Sequence, residues 1–138
     1  MTRLRRWARR DEGRVSILVA VIVPALLFLI AATFDAGGQI RAMQRADNIA
    51  MQAARAAGQT IDLPQAVNGG AKEIDPVRAG VAAQAYLDAA GATGTVTISP
   101  DRQQVTVTAT ITYQPRMLGA FGRGPVTVPG RATAQLVI

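Results

Sequence analysis

Val15–Phe34, VSILVAVIVPALLFLIAATF, is a run of twenty residues without a charge, and Asp35 follows it directly. At about 1.5 Å of rise per helical residue, this run matches the ~30 Å hydrocarbon core of a bilayer. It predicts a membrane-spanning helix over residues 15–35. Pro24 lies near its middle and has no amide hydrogen to donate, so a bend in the membrane helix is expected there. A secretory leader also pairs a basic start with an apolar run, but its apolar part is only about 7–15 residues and closes on a small-x-small site. Here the nearest such site is the weak Ile30-Ala31-Ala32, and the reading is an uncleaved or differently processed anchor.

On the N-terminal side, residues 1–14 form a basic head. Six arginines (Arg3, Arg5, Arg6, Arg9, Arg10 and Arg14) stand against Asp11 and Glu12, so the head holds +4 of the chain's +6. Positive charge beside a span holds that end in the cytoplasm, which places the C-terminal part outside. The head reads either as an interfacial segment with Leu4 and Trp7 on its apolar side or as a short disordered tail. The remaining nine Lys/Arg and seven Asp/Glu leave only +2 on residues 15–138, without a basic stripe. With six scattered aromatics and no stacking pattern, nucleic-acid binding is the weaker reading and no nucleic-acid partner is expected.

On the other side, Gly37-Gly38 is a candidate flexible joint, after which Gln39–Ala57 (QIRAMQRADNIAMQAARAA) has high helix propensity. Residues 36–58 read as a helical stalk ending at Gly58. Ile40, Met43, Ala46 or Asp47, Ala50, and Ala53 or Ala54 recur at steps of three and four. That narrow stripe suits close packing, either on the protein's own domain or on another subunit.

Residues 59–138 read as a small extracytoplasmic α+β domain. Gln59–Ile74 is a connection with turn signals at Pro64 and Asn68-Gly69-Gly70. Asp75-Pro76 is a helix start, with Asp75 as N-cap and Pro76 at the first helical position, and the helix should end at Gly91. Beyond it the period changes to two. Thr95–Ser99 and Gln104–Tyr113 are strands about a Pro100-Asp101-Arg102 turn, with Val96, Ile98, Val105, Val107, Ala109, Ile111 and Tyr113 inward and threonines outward. Arg116–Gly124 is a loop or short helical turn that presents Met117, Leu118 and Phe121 as exposed apolar side chains. A last strand, Val126–Ile138, should be interrupted at Pro129-Gly130. The fold class is α+β: a long membrane helix continuing into a stalk, then one helix and a three-stranded antiparallel sheet.

The residue inventory argues against an enzyme. The chain has no cysteine and no histidine, so thiolate chemistry, thiolate metal sites and imidazole bases are absent. Glu73 and Asp75 are close enough to imagine an acid/base or metal pair, but helix capping accounts for Asp75 more simply. Ser16 and Ser99 have no base nearby in sequence, and no glycines form a phosphate loop. No catalytic, cofactor-binding or metal residue is assigned, and no small-molecule substrate is expected.

Asp11–Gly58 resembles the N-terminal region of the TadE/TadG-like proteins of the tight-adherence (Flp-type) pilus system. The likeness rests on the Asp11-Glu12-Gly13 junction, an apolar helix with Pro24-Ala25-Leu26-Leu27 in its middle, and the Asp35-Ala36-Gly37 exit. Gln44-Arg45-Ala46-Asp47 with Ala50, Ala53 and Ala54 completes it. The resemblance implies a non-enzymatic, single-pass envelope protein of the bacterial cytoplasmic membrane, a minor pilin or pseudopilin with a pilin-like order of helix then strands. Its partners would be membrane lipid and other pilin-like or Tad machinery proteins. It also makes Gly13–Arg14 the candidate prepilin-peptidase junction. Processed pilins usually carry glutamate at the fifth residue after that glycine. Leu18 stands there, so the permanently anchored, TadG-like variant fits better. The alternative is a single-pass anchor presenting a small domain to a ligand or partner, unrelated to filaments. Intact-mass analysis of the membrane-extracted protein should give the full-length chain; a chain beginning at Arg14 would contradict the permanent anchor.

Overall fold

Fifty-five residues, Leu4–Gly58, form one helix, α1. It is about 80 Å long at 1.5 Å per residue. The computed structural model describes residues 4–136, and the side chains of 13–136. Residues 4–14 of the basic head are thus part of the helix rather than of a disordered tail, while the apolar side expected from Leu4 and Trp7 lies outside the described side chains. α1 is the one helix among the described residues long and apolar enough to cross a membrane. Pro24 sits inside it without ending it, and Thr33 returns its hydroxyl to the Leu29 carbonyl at 2.8 Å, a local partner that a polar group needs in an apolar segment.

The helix also runs unbroken through Gly37-Gly38, where a joint was expected. Two glycines cost a helix about 1 kcal/mol each relative to alanine. The reason for one of them is steric: a Cβ at Gly38 would overlap the hydroxyl and ring of Tyr113, which lies across the helix there. Gly38 is a contact surface rather than a hinge.

After α1 come a short helix α2 (Leu63–Val67), a helix α3 (Pro76–Ala89), and strands β1 (Thr93–Ile98), β2 (Gln104–Tyr113) and β3 (Val126–Gln135). The connection expected over 59–74 thus contains one helical turn, capped by Asp62, whose carboxylate accepts from the Gln65 amide. Asp75 caps α3 as the sequence predicts, accepting from the amides of Val77 at 3.0 Å and Arg78 at 3.2 Å. The strands form an antiparallel sheet in the order β1-β2-β3, with Val96 opposite Val107, and Val107 opposite Ala132.

One face of the sheet is covered by α1 over β2 and β3 and by α3 over β1. Ala50, Ala53, Ala54 and Ala57 of α1, Ala79, Ala83 and Leu87 of α3, and Val105, Val107 and Ala109 of β2 are fully buried between them. Thr106 and Thr133 share a hydroxyl hydrogen bond on the opposite face. The alanine stripe therefore packs on the protein's own domain. Ile40 and Met43, expected to belong to it, are 57% and 46% exposed and point away. Alanine wins these positions because the helix lies too close to the sheet for a longer side chain.

Gly130 marks the closest approach, where a Cβ would overlap the backbone of Ala46 and Asp47. β3 passes through Pro129-Gly130 without the expected break. The Arg131 amide points off the sheet edge and donates to Asp47 Oδ1 at 3.2 Å. Two residues earlier the Pro129 nitrogen faces the same way, so its missing hydrogen removes no bond to β2. At the far end, the Ile74 amide donates to the Arg102 carbonyl at 3.0 Å and the Gln103 side chain to the Lys72 carbonyl at 3.0 Å, tying the α2–α3 connection to the hairpin turn.

Two glycine substitutions should move stability in opposite directions. Gly130→Ala should cost about 2 kcal/mol or more, because backbone and not a mobile side chain fills the space. Gly80→Ala, inside α3 with open space around it, should gain about 0.5–1 kcal/mol. Denaturant titration of the detergent-solubilised protein reads both.

Candidate functional site

Asp35 stands where the apolar run ends, and it is 4% exposed, the one buried charged side chain among the described residues. A buried carboxylate is costly unless its oxygens are occupied, and here both are. Oδ1 accepts from the Arg116 amide at 2.9 Å, the Met117 amide at 3.2 Å and the Tyr113 hydroxyl at 3.3 Å. Oδ2 accepts from the Met117 amide at 3.2 Å and the Leu118 amide at 2.6 Å. Two oxygens that only accept describe the ionised carboxylate.

The amide donors come from the segment joining β2 to β3, and the hydroxyl from Tyr113 at the end of β2. Pro115 ends β2, and the chain then turns into a 3₁₀ helix over Leu118–Phe121, closed by Gly122 at φ 87°. The leading amides of such a turn have no partner within it. Met117, its N-cap residue, makes no side-chain cap; Asp35 supplies the cap from another element. Leu118, expected to be exposed, is buried against α1 at 6% exposure, whereas Met117 and Phe121 remain exposed as predicted.

Tyr113 completes the arrangement. Its ring occupies the space left by Gly38, and its phenol is raised above its ordinary value first by burial, then by the negative charge of Asp35 and the hydrogen bond donated to it, with Arg116 and Arg41 opposing. Beside it, Ala32, Asp35, Gln39, Tyr113, Leu118 and Val126 border a cavity of about 90 Å³. Asp35, Gly38 and Asp47 thus fasten one helix to the loop, a strand end and a sheet edge.

The residues singled out in the sequence are not brought together. Gly13 and Arg14 lie exposed on α1; Pro24 is exposed some 15 Å further along, and Asp35 another ~16 Å beyond. Leu18 is likewise exposed, at 57%. Glu73 pairs with Arg102 at 3.5 Å while Asp75 caps α3, so they form no acid/base couple. No group of three or more potential metal ligands exists among the described residues. The residue that sequence reasoning missed as a site is Asp35. Its signal was a carboxylate placed flush against the end of an apolar run, a costly position without a partner.

The Tad family model, described as "Putative Flp pilus-assembly TadE/G-like", matches residues 13–60. That region contains the apolar run, Asp35, Gly38 and Asp47, and ends with α1. No curated protein and no solved structure matches the chain.

Asp35→Asn replaces an acceptor by a donor facing amide hydrogens. Hydrogen exchange at the amides of Arg116, Met117 and Leu118 should accelerate on the order of tenfold or more, with the β2–β3 ladder unchanged. In a Tyr86→Phe background, Tyr113 should titrate above the ordinary ~10, and Asp35→Asn should lower that value. Because the folded value is the raised one, the contribution of this contact is complete below pH ~10 and is lost as pH climbs through the Tyr113 value. Absorbance titration of the phenol checks both.

Proposed function

We propose that the chain is a membrane-anchored minor pilin or pseudopilin-like component of a Tad (Flp-type) pilus assembly or secretion system. Its role is structural, exerted through helix–helix contacts in the membrane and, outside it, through contacts of the domain of residues 59–138, called the head from here on and distinct from the basic head of residues 1–14. The observation that carries this reading is the division of the family-matched region into two parts. The apolar run up to Ile30 presents its side chains outward, Leu18, Val19 and Leu29 being 57%, 51% and 62% exposed, while Ala46, Ala50, Ala53 and Ala57 are fully buried by the head. A helix bare over its apolar half and covered along one face of its polar half is built to join two environments. The bare half needs lipid or other apolar helices around it.

The basic head supports an orientation with the N-terminus in the bacterial cytoplasm and residues 59–138 outside. Leu18, in place of a carboxylate, favours a subunit that stays anchored, and Gly13–Arg14 remains the candidate junction for processing. Pro24 is the proposed place for α1 to bend within the membrane. Because the head is fastened to α1 at several points, displacement of the membrane helix would be carried into the head as a rigid movement. That is the useful property for a component that works by assembly.

A photo-crosslinker at Val19 or Ala20, in cells carrying the pilus machinery, should capture another pilin-like subunit. Adducts to lipid alone would overturn the assembly reading and leave an anchor presenting a binding domain.

A further inference from the structure

We propose that the segment Arg116–Gly124 is a membrane-seating hook: it dips into the leaflet on the side of residues 59–138 next to α1, with Met117 and Phe121 among acyl chains and Arg41 and Arg116 at lipid phosphates. The inference rests on the reading of residues 15–34 as a span, and deepens it by naming lipid as the partner of a second element.

The depth comes from one contact. The Phe121 ring meets the Phe28 ring edge to face, with centroids 5.7 Å apart and planes at 87°. Phe28 precedes the end of the apolar run by six residues, so Phe121 lies about 9 Å inside that boundary along the helix axis. Amphipathic elements that lie in a membrane interface bury their apolar face to about 5–10 Å. The Asp35 clamp sets the direction: by holding the amides of Arg116, Met117 and Leu118 at the exit, it makes the chain turn back along the span before returning to β3.

Exposure and charge agree with that placement. Met117 and Phe121 are 44% and 61% exposed, a poor arrangement in water for two large apolar side chains so close together in one loop. Arg41 and Arg116 line an opening of about 210 Å³ together with Phe34, Gly38 and Tyr113, at the level where the apolar run ends. Lipid phosphates occupy that level of a bilayer, and arginine pairs well with them. Irregular backbone near hydrocarbon must also satisfy its amides. Besides the three held by Asp35, the amides of Ala120, Gly122 and Arg123 donate to the carbonyls of Met117, Gly119 and Leu118 at 3.3, 3.1 and 3.1 Å.

The chain has no cysteine, so single labels are clean. Full-length protein carrying Met117→Cys or Phe121→Cys, each with an environment-sensitive fluorophore, would be placed one copy per nanodisc of phosphatidylcholine and phosphatidylglycerol. Ile22→Cys serves as the reference for the span and Thr97→Cys as the reference for the head. The hook predicts several-fold stronger quenching at 117 and 121 by lipid-borne nitroxides than by an aqueous quencher, and the reverse at 97. Aqueous quenching at 117 and 121 with lipid quenching at 22 would overturn the hook while leaving the span intact. Failure of lipid quenching at 22 would overturn the span itself. Shielding of 117 and 121 from both quenchers would overturn lipid as the occupant and place the two side chains against the protein's own surface.

Discussion

Asp35 is ionised, buried and placed at the end of a run of apolar side chains, and the cost of that position is met by amides 81 to 83 residues later in the chain. Desolvating a carboxylate is unfavourable unless both oxygens are occupied in good geometry. The hydrogen bonds therefore do more than add stability, because they define one place where the β2–β3 segment can sit. Shifting it by a residue would leave a buried charge facing carbonyls or nothing. From that fixed point Tyr113 is laid over Gly38, Leu118 is buried against α1, and the sheet begins its course along the helix.

Beyond Gly38, distance governs how helix and sheet pack. A sheet that starts in contact with a helix axis stays close only if neither side presents bulk. α1 meets β3 with Ala46 where β3 offers Gly130, and the alanines up to Ala57 continue that close approach. Asp47 then secures the outer edge of β3 by accepting from Arg131, which also blunts an exposed strand edge. The larger side chains of the core are Ile74, Leu87, Val105, Val107 and Val128, contributed by the sheet, by α3 and by the connection before it, all fully buried.

Much of this was legible in the sequence because it depends on local pattern. The uncharged run, the Asp75-Pro76 helix start and the period-two strands each reflect the chemistry of neighbouring residues, and β2 falls on Gln104–Tyr113 as read. The readings that failed are those in which a distant element overrides the local rule. Gly37-Gly38 looks like a joint until Tyr113 occupies the missing side-chain volume. Ile40 and Met43 look like the buried stripe because they are the larger apolar residues, yet the tightness of the interface selects alanine. Pro129-Gly130 looks like a break, but the proline faces the outer edge and the glycine faces α1. Asp35 was visible only as an anomaly of position, since its partners are named by the tertiary fold alone.

From Pro24 onward, α1 and the domain of residues 59–138 should move as one body, clamped at Asp35, with no joint at Gly37-Gly38. Spin labels at Leu27, an exposed site of α1 between Pro24 and Asp35, and at Thr97 on β1, in full-length protein reconstituted one copy per nanodisc, test it by pulsed dipolar spectroscopy. A single narrow distance distribution is predicted, broadening when Asp35 is changed to Asn. A broad or two-peaked distribution in the unmodified clamp would contradict the account.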